Sequence, residues 1–183
     1  MCRGGFLFLE MAYLNVEIKA KCGDADVARS CLKKHNAEFK GVDFQTDTYF
    51  HVLHGRMKLR EGNIENNLIY YERSNVPGAK ESNFQLVKVP DATSLKETLT
   101  GALGIKVIVE KKREIYFIKN VKFHIDEVRG LGNFVEIEAS NLYNYIAKGE
   151  LERQCNFYVA ELGIKEEDLV SLSYSDMLLA AQK

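Results

Sequence analysis

Charged and apolar positions alternate along several short segments of this chain, and the charged face carries both signs. Residues 15–21 read Asn-Val-Glu-Ile-Lys-Ala-Lys, which puts Glu17, Lys19 and Lys21 on one side of a strand and Val16 and Ile18 on the other. The same two-residue period recurs in four later segments, at Arg56, Lys58 and Arg60, at Lys111 and Arg113, at His124 and Asp126, and at Glu136 and Glu138. Alternation of this kind predicts half-buried β-strands.

The periodicity predicts about eight strands that follow one another mostly through turns, which favours an antiparallel sheet. The strands are expected at about 13–22, 38–53, 56–60, 68–73, 84–89, 105–118, 121–128 and 134–139, with a loop over 74–83. Helices are expected at 24–35 with Asp24 as its cap, and from Ser94, where Glu97 completes a capping box, to Leu103, with Gly104 ending it. Further helices are expected at about 141–162, 165–172 and 175–181. The predicted fold class is therefore α+β.

Length and composition are typical of one globular domain. The chain has 183 residues, of which 46% are hydrophobic and 28% are charged. Four dispersed cysteines predict reduced thiols and a cytoplasmic location, and no apolar run approaches the ~20 residues of a membrane span. A formal charge of −1 gives no reason to expect binding to nucleic acid or to acidic membranes. We expect residues 1–10 to be an extension before a single domain over 11–183, and leave open whether it is a monomer or a homodimer.

The basic faces favour a closed barrel over an open sheet. Like charges on neighbouring strands repel, so an outer face gains little from several basic strands, whereas a phosphate-binding face gains charged hydrogen bonds. If about eight strands close into a barrel, apolar side chains can point outward beneath helices and the charged ones can line a wet interior. This reasoning predicts an interior that holds an anion and a metal.

The acidic positions predict where that metal binds. Glu136 and Glu138 lie on one side of a strand, about 7 Å apart. Together with Glu17 and Asp126 they form a set of hard oxygen ligands, which Mg²⁺ or Mn²⁺ prefers. His124, if it faces the interior, would contact phosphate.

These residues resemble the CYTH-domain family, also called the triphosphate tunnel metalloenzymes. The family signature Glu-x-Glu-x-Lys corresponds to Asn15-Val-Glu17-Ile-Lys19. The later basic strands match as well, and the most specific match runs from His124 to Glu138, His-Ile-Asp-Glu-Val-Arg-Gly-Leu-Gly-Asn-Phe-Val-Glu-Ile-Glu. The branch it is most similar to is the one called class IV adenylyl cyclase-like, related to thiamine triphosphatase.

The resemblance implies roles for individual residues. It implies that the metal ligands are Glu17, Asp126, Glu136 and Glu138. It implies that the phosphate-binding residues are Lys19, Lys21, Arg56, Lys58, Arg60, Arg73, Lys111 and Arg113, to which we add His124. We expect the catalytic roles to fall on Glu17, Lys19 and Asp126.

Two positions depart from the family pattern. Asn15 replaces the first signature Glu, so one anionic ligand is lost and the number of metals, one or two, stays open. Arg73 stands where thiamine triphosphatases carry Lys. Because arginine is effectively always protonated, a tyrosine–lysine base built on Tyr49 would not carry over.

Three functions are compatible with this pattern. The first is hydrolysis, dependent on Mg²⁺ or Mn²⁺, of a small triphosphate such as inorganic tripolyphosphate, a nucleoside triphosphate or thiamine triphosphate. The second is an adenylyl cyclase that converts ATP to cyclic AMP and pyrophosphate. The third is a non-catalytic binder of polyphosphate or nucleotide.

Overall fold

A computed structural model describes residues 13–73, 80–142 and 145–182. The predicted extension over 1–10 and residues 74–79 of the predicted loop over 74–83 lie outside the described residues. The rest of that prediction is wrong: residues 80–83 are strand, because they pair with residues 14–17. The strands are β1 (Tyr13–Lys21), β2 (Glu38–Phe50), β3 (Arg56–Glu61), β4 (Asn67–Arg73), β5 (Lys80–Lys88), β6 (Ile105–Ile118), β7 (Val121–Val128) and β8 (Gly132–Ser140). The helices are α1 (Ala25–Lys34), α2 (Ala92–Leu103), α3 (Lys148–Glu161) and α4 (Tyr174–Ala181), with a short 3₁₀ turn at Glu166–Asp168.

All strand pairs are antiparallel, and the sheet returns to its first strand. The hydrogen-bonded order is β1-β5-β4-β3-β2-β6-β7-β8, and β1 pairs with β8 as well as with β5, so the order is that of a closed barrel. The predicted α+β fold with about eight antiparallel strands is confirmed. Because the barrel is closed, one face of every strand points toward the interior and the other points toward the helices or the solvent.

The largest apolar core lies outside the barrel. Val16 and Ile18 of β1, with Phe123 and Ile137 of β7 and β8, are almost fully buried against Leu151 and other residues of α1 and α3. A second cluster forms where α2 covers Phe50 and Leu59. Burying each large apolar side chain stabilises the fold by roughly 1.5–3 kcal/mol. The apolar face of these strands therefore points outward, as the alternation predicted, and polar groups point toward the interior.

A third apolar cluster fills one end of the barrel. Tyr49, Tyr71, Val109 and Phe134 pack there against Tyr174, the first residue of α4. Tyr49 is 6% exposed, and it hydrogen-bonds Tyr71 and Ser175. In the described residues, this cluster closes one end of the barrel.

Several predicted element boundaries are wrong. The cap of α2 is Asp91, whose side chain accepts a hydrogen bond from the Ser94 N–H, so the helix begins two residues before the predicted capping box at Ser94. α3 begins at Lys148 rather than near 141, and the predicted helix over 165–172 is only the 3₁₀ turn. There Val170 donates a backbone hydrogen bond to the Lys19 carbonyl, because the chain runs beside β1 instead of coiling.

Candidate active site

The barrel encloses a cavity of about 890 Å³ that is lined by the inward positions of its strands. This volume is near the upper end of the ~300–1,000 Å³ range of small-molecule pockets. Thirteen charged side chains of the described residues line it: Glu17, Lys19, Asp47, Lys58, Arg60, Glu65, Lys88, Lys111, Arg113, Lys119, Lys122, Glu136 and Glu138. The predicted inversion of polarity is thus present in the described residues.

One group of charges, the basic cluster, is organised around the buried carboxylate of Asp47. Its Oδ2 accepts hydrogen bonds from Lys111 Nζ at 2.7 Å and Lys58 Nζ at 2.9 Å, and Arg60 Nε donates to Oδ1 at 2.8 Å. Asp47 is 2% exposed. Burial raises the pKa of Asp47, but the charges of Arg60, Lys111 and Lys58 outweigh burial and hold it well below its usual value. Asp47 is therefore ionised, and one negative charge holds three cations that come from two further strands.

Glu65 extends the basic cluster across the cavity. Its Oε2 accepts from Arg60 Nη1 at 2.8 Å, and its Oε1 accepts from Lys122 Nζ at 2.5 Å. Burial opposes ionisation of Glu65, but Arg60 and Lys122 lower its pKa far below the ordinary value. One charged hydrogen bond, from Lys122, thereby fixes the β3–β4 connection to β7, and the other, from Arg60, fixes it to β3.

Lys111 is the titratable cation of the basic cluster. Complete burial lowers the pKa of Lys111 to about 7, and the attraction of Asp47 only partly offsets burial and the repulsion of Arg60 and Arg113. An anion entering the cavity would favour the charged form of this amine. Arg60 and Arg113, in contrast, stay protonated because guanidinium groups do not titrate near neutrality.

The acidic cluster lies on β1, β7 and β8. Glu136 accepts from Lys19 Nζ at 3.0 Å and from Arg113 Nη2 at 2.6 Å, and His124 Nδ1 lies 3.2 Å from its Oε2 and 3.5 Å from Glu138 Oε1. β1 pairs Glu17 directly with Glu138, so three carboxylates belong to adjacent strands. Burial opposes ionisation of Glu136, but Lys19 and Arg113 keep its pKa well below the usual value.

The residues present fit a divalent cation. Ligand atoms of His124, Glu136 and Glu138 all lie within 4.8 Å of one another. Asn15 Oδ1 and His124 Nε2 are buried, and neither has a hydrogen-bond partner among the described residues. Buried polar atoms without partners are costly, and a bound ion or ordered water would satisfy them. A cation coordinated mainly by oxygen, with one nitrogen within reach, suits Mg²⁺ or Mn²⁺.

Asp126, predicted as a metal ligand and catalytic residue, is already bonded on both oxygens. Arg113 Nε donates to Oδ1 at 2.7 Å, and Oδ2 accepts from Arg113 Nη2 at 2.5 Å and from the Tyr174 hydroxyl at 2.8 Å. Asp126 is 1% exposed and does not line the cavity. In this arrangement Asp126 orients Arg113, since its inward position on β7 lies directly opposite that arginine on β6.

Two other predicted residues, Lys21 and Arg56, stand apart from the cavity, and His124 is not among the residues that line it. Lys21 is exposed at the end of β1 and does not line the cavity. Before this point the segment that carries Val170 crosses beside Lys19, and the ring of Tyr174 covers the Lys19 ammonium at 3.7 Å. Arg56 lines a separate small pocket and pairs with Asp176 of α4 at 2.9 Å, because α4 occupies that end of the barrel. Arg73 ends β4, and its side chain lies outside the described residues.

Reasoning from the sequence missed Asp47, Glu65, Lys122 and Tyr174. The signal for two of them was present: Asp47 shares the inward face of β2 with Tyr49, and Lys122 shares that of β7 with His124 and Asp126. Glu65 and Tyr174 gave no periodic signal, since one lies in a turn and the other begins a helix.

Tyr49 is unsuited to act as a base near neutral pH. Complete burial raises its pKa to about 12, and Asp47 acts in the same direction.

Fold and site together define a barrel protein whose interior combines a cluster of cations with a cluster of carboxylates. The chain belongs to the CYTH-domain family: the family profile described as CYTH domain matches residues 14–174. The match covers all eight strands and reaches the first residue of α4.

Individual relatives agree with this assignment. A Methanocaldococcus jannaschii protein named "putative adenylate cyclase" is 26% identical over 176 residues, covering 90% of this chain and 98% of its own length. The structure of a conserved hypothetical protein from Pyrococcus furiosus superposes with a TM-score of 0.75 and 26% identity, covering 88% and 98% of the two chains. A Hippeastrum protein described as a putative adenylyl cyclase with a dominant triphosphatase activity has the same fold, with a TM-score of 0.60, 13% identity and 92% and 95% coverage. In the described part of this chain, every helix is too short or too polar to cross a lipid bilayer.

Proposed function

We propose that this protein hydrolyses a small triphosphate inside the barrel with the help of Mg²⁺ or Mn²⁺. The observation that carries the proposal is the pairing of the two clusters in one enclosed cavity: Lys58, Arg60 and Lys111 on one side, Glu136 and Glu138 on the other. A triphosphate needs both, because its oxygens bind cations directly and bind a metal that carboxylates hold.

The acidic and basic clusters would have different roles in this reaction. The metal would be held by Glu17, Glu136 and Glu138, with Asn15 and His124 nearby. When bound, the metal neutralises the negative charge of the phosphates. Lys58, Arg60 and Lys111 would bind phosphate oxygens and stabilise the charge that develops on the leaving group.

Two residues would set the geometry of the site. Arg113 would bind phosphate beside the acidic cluster, because it lines the cavity, contacts Glu136 and is held in place by Asp126. Holding it in this orientation removes conformational freedom that a binding arginine would otherwise lose. Lys19, whose ammonium lies between Glu136 and the Tyr174 ring, is placed to bind a phosphate oxygen next to the metal.

The test is a turnover assay with matched variants. Purified protein with Mg²⁺ or Mn²⁺ should release orthophosphate from at least one of inorganic tripolyphosphate, a nucleoside triphosphate and thiamine triphosphate. Lys111→Met should lower that rate by at least tenfold, whereas Lys112→Met, at the next position of β6 and exposed, should leave it unchanged. Absence of product from every compound, in folded and metal-loaded protein, would refute hydrolysis, and tight binding without product would favour a binding protein.

Cyclisation of ATP is the second candidate, favoured by the name of the M. jannaschii relative. The phosphate-binding residues would be the same, and the attacking group would be the ribose 3′-hydroxyl instead of water. Product analysis separates the two reactions, since a cyclase yields cyclic AMP with pyrophosphate and a hydrolase yields ADP with orthophosphate.

A further inference from the structure

The β3–β4 connection, residues 62–66, is folded onto β2 by the fully buried carboxylate of Asp43. Asp43 Oδ1 accepts a hydrogen bond from the Ile64 N–H at 2.8 Å, and Oδ2 accepts one from the Glu65 N–H at 3.1 Å. An added Cβ at Gly62 would lie 2.6 Å from Asp43 Oδ1, so a side chain there would push the connection away from β2. The backbone of this connection is therefore fixed, and it carries the Glu65 side chain into the cavity.

The Glu65 carboxylate lies between two cations that also face the cavity. Arg60 Nη1 donates to its Oε2 at 2.8 Å, and Lys122 Nζ donates to its Oε1 at 2.5 Å. All three side chains line the cavity. A carboxylate between a guanidinium and an ammonium accepts charged hydrogen bonds as a phosphate group does. The Glu65 carboxylate therefore occupies a position that suits a phosphate.

Arg60 keeps its orientation without Glu65. Its Nε donates to Asp47 Oδ1 at 2.8 Å, and its Nη2 donates to Asp47 Oδ2 at 3.1 Å. The side chain of Asp47 is 2% exposed, whereas that of Glu65 is 20% exposed and can turn toward water. If the Glu65 side chain turns away, Arg60 Nη1 and Lys122 Nζ both become available to another anion.

A triphosphate carries enough charge to displace this carboxylate. It has several negative charges where Glu65 has one, and charged hydrogen bonds are roughly twice as strong as neutral ones. Lys88 and Lys119 also line the cavity, and among the described residues neither pairs with a carboxylate. Both lysines therefore add to the attraction between the cavity and an anion.

We propose, on the basis of the function proposed above, that Glu65 is an internal competitor of the triphosphate: its carboxylate holds Arg60 and Lys122 until the substrate binds and displaces it. One phosphate group then takes the place of the carboxylate. Until then, Glu65 compensates two cations whose charges would otherwise be costly to bury. Because this carboxylate must be displaced, its removal strengthens substrate binding, although the removed group lines the cavity.

The experiment measures the binding of inorganic tripolyphosphate by calorimetry in metal-free buffer, so that no ligand is hydrolysed. Glu65→Gln should bind tripolyphosphate at least about tenfold more tightly than the wild type does, because no carboxylate has to leave Arg60 and Lys122. Glu61→Gln is the matched control. Glu61 lies at the end of β3 and pairs outside the cavity with Lys96 of α2, so its loss should change the affinity less than about twofold.

A second substitution tests whether the gain depends on Lys122. If a phosphate group replaces Glu65 on this ammonium, the gain from Glu65→Gln should be at least about threefold smaller in a Lys122→Met background. The double variant removes both charges of the pair, so its folding does not depend on an uncompensated ammonium. An equal gain in both backgrounds would contradict competition for Lys122.

A crystal structure of the wild type with tripolyphosphate gives a measure that needs no variant. With the anion bound, the Glu65 carboxylate should lie beyond about 4 Å from Lys122 Nζ. Unchanged or weaker binding by Glu65→Gln, or a Glu65 carboxylate still paired with Lys122 beside bound tripolyphosphate, would overturn the role of Glu65 and leave triphosphate chemistry standing. Failure of both the folded wild type and folded Glu65→Gln to bind tripolyphosphate would overturn the proposed function and this inference together.

Discussion

Replacing Asp47 by asparagine tests whether a single buried carboxylate holds the basic cluster together. The substitution keeps the shape of the side chain and removes the charge that Lys58, Arg60 and Lys111 share. Breaking a buried ion pair by removing one partner costs about 3–5 kcal/mol, because the remaining charge is left uncompensated. Lys111, with its pKa already lowered to about 7, can lose its proton and relieve part of this cost. We therefore expect Asp47→Asn to lower the free energy of unfolding by about 3 kcal/mol.

The assay is thermal unfolding with and without tripolyphosphate. A loss of ~3 kcal/mol in a chain of this length corresponds to a fall in Tm of roughly 6–12 °C. Because the anion replaces the missing charge, tripolyphosphate should raise the Tm of the variant more than that of the wild type. Glu110→Gln, which breaks the exposed pair with Arg129, is the control and should cost less than about 1 kcal/mol. An Asp47→Asn protein that melts with the wild type would refute the organising role of this carboxylate.

Three further predictions concern the metal and the protons. Asn15 is buried, and its Oδ1 has no hydrogen-bond partner in the described chain. Asn15→Glu restores an anionic oxygen there, so the affinity for Mn²⁺, measured by electron paramagnetic resonance, should rise at least about tenfold. An unchanged affinity would place Asn15 outside the metal site. Glu138→Gln removes a ligand charge and should weaken Mn²⁺ binding by a similar factor in the same measurement, whereas wild-type affinity would exclude this carboxylate from coordination. A bound anion raises the lowered pKa of Lys111, so binding of tripolyphosphate should take up a proton above about pH 7 and weaken as the pH rises toward ~9. Lys111→Met should lose this dependence of binding on pH. Identical pH profiles for the two proteins would contradict the role of Lys111 as the titrating group.

Local alternation carried most of the information about the barrel. Glu17, Lys19, Lys58, Arg60, Lys111, Arg113, Glu136 and Glu138 were all predicted to face one interior, and all line one cavity. The reason is physical: a strand has only two faces, so a charged residue between two buried apolar ones is placed by the pleat. Ile18 and Ile137, at positions of the opposite parity, point outward and are buried beneath the helices, which confirms the same alternation.

What alternation could not predict is how far the cavity extends and which groups are already paired. Lys21 obeys the period of β1 but lies past the point where the C-terminal segment crosses the strand, a contact between residues about 150 positions apart in the chain. Asp126 obeys the period of β7, but the hydroxyl of Tyr174 and the guanidinium of Arg113 occupy its oxygens. Val170 and Tyr174 come from distant segments and leave no local pattern beside the strands that they contact. The apolar part of the cavity lining, Ile69, Tyr71, Phe84 and Leu86, was missed for a different reason. Leu86 and Val87 are both apolar, so this pair of positions shows no contrast between the two faces of β5.

The most direct test of the central claim is a crystal structure of the protein with Mn²⁺ and tripolyphosphate, with the metal located by its anomalous scattering. We expect the anomalous peak inside the barrel beside Glu17 and Glu138, and phosphate oxygens within hydrogen-bond distance of Lys58, Arg60 and Lys111. Mn²⁺ and tripolyphosphate bound only on the outer surface, with Asp47 still the sole anion on those three cations, would contradict it.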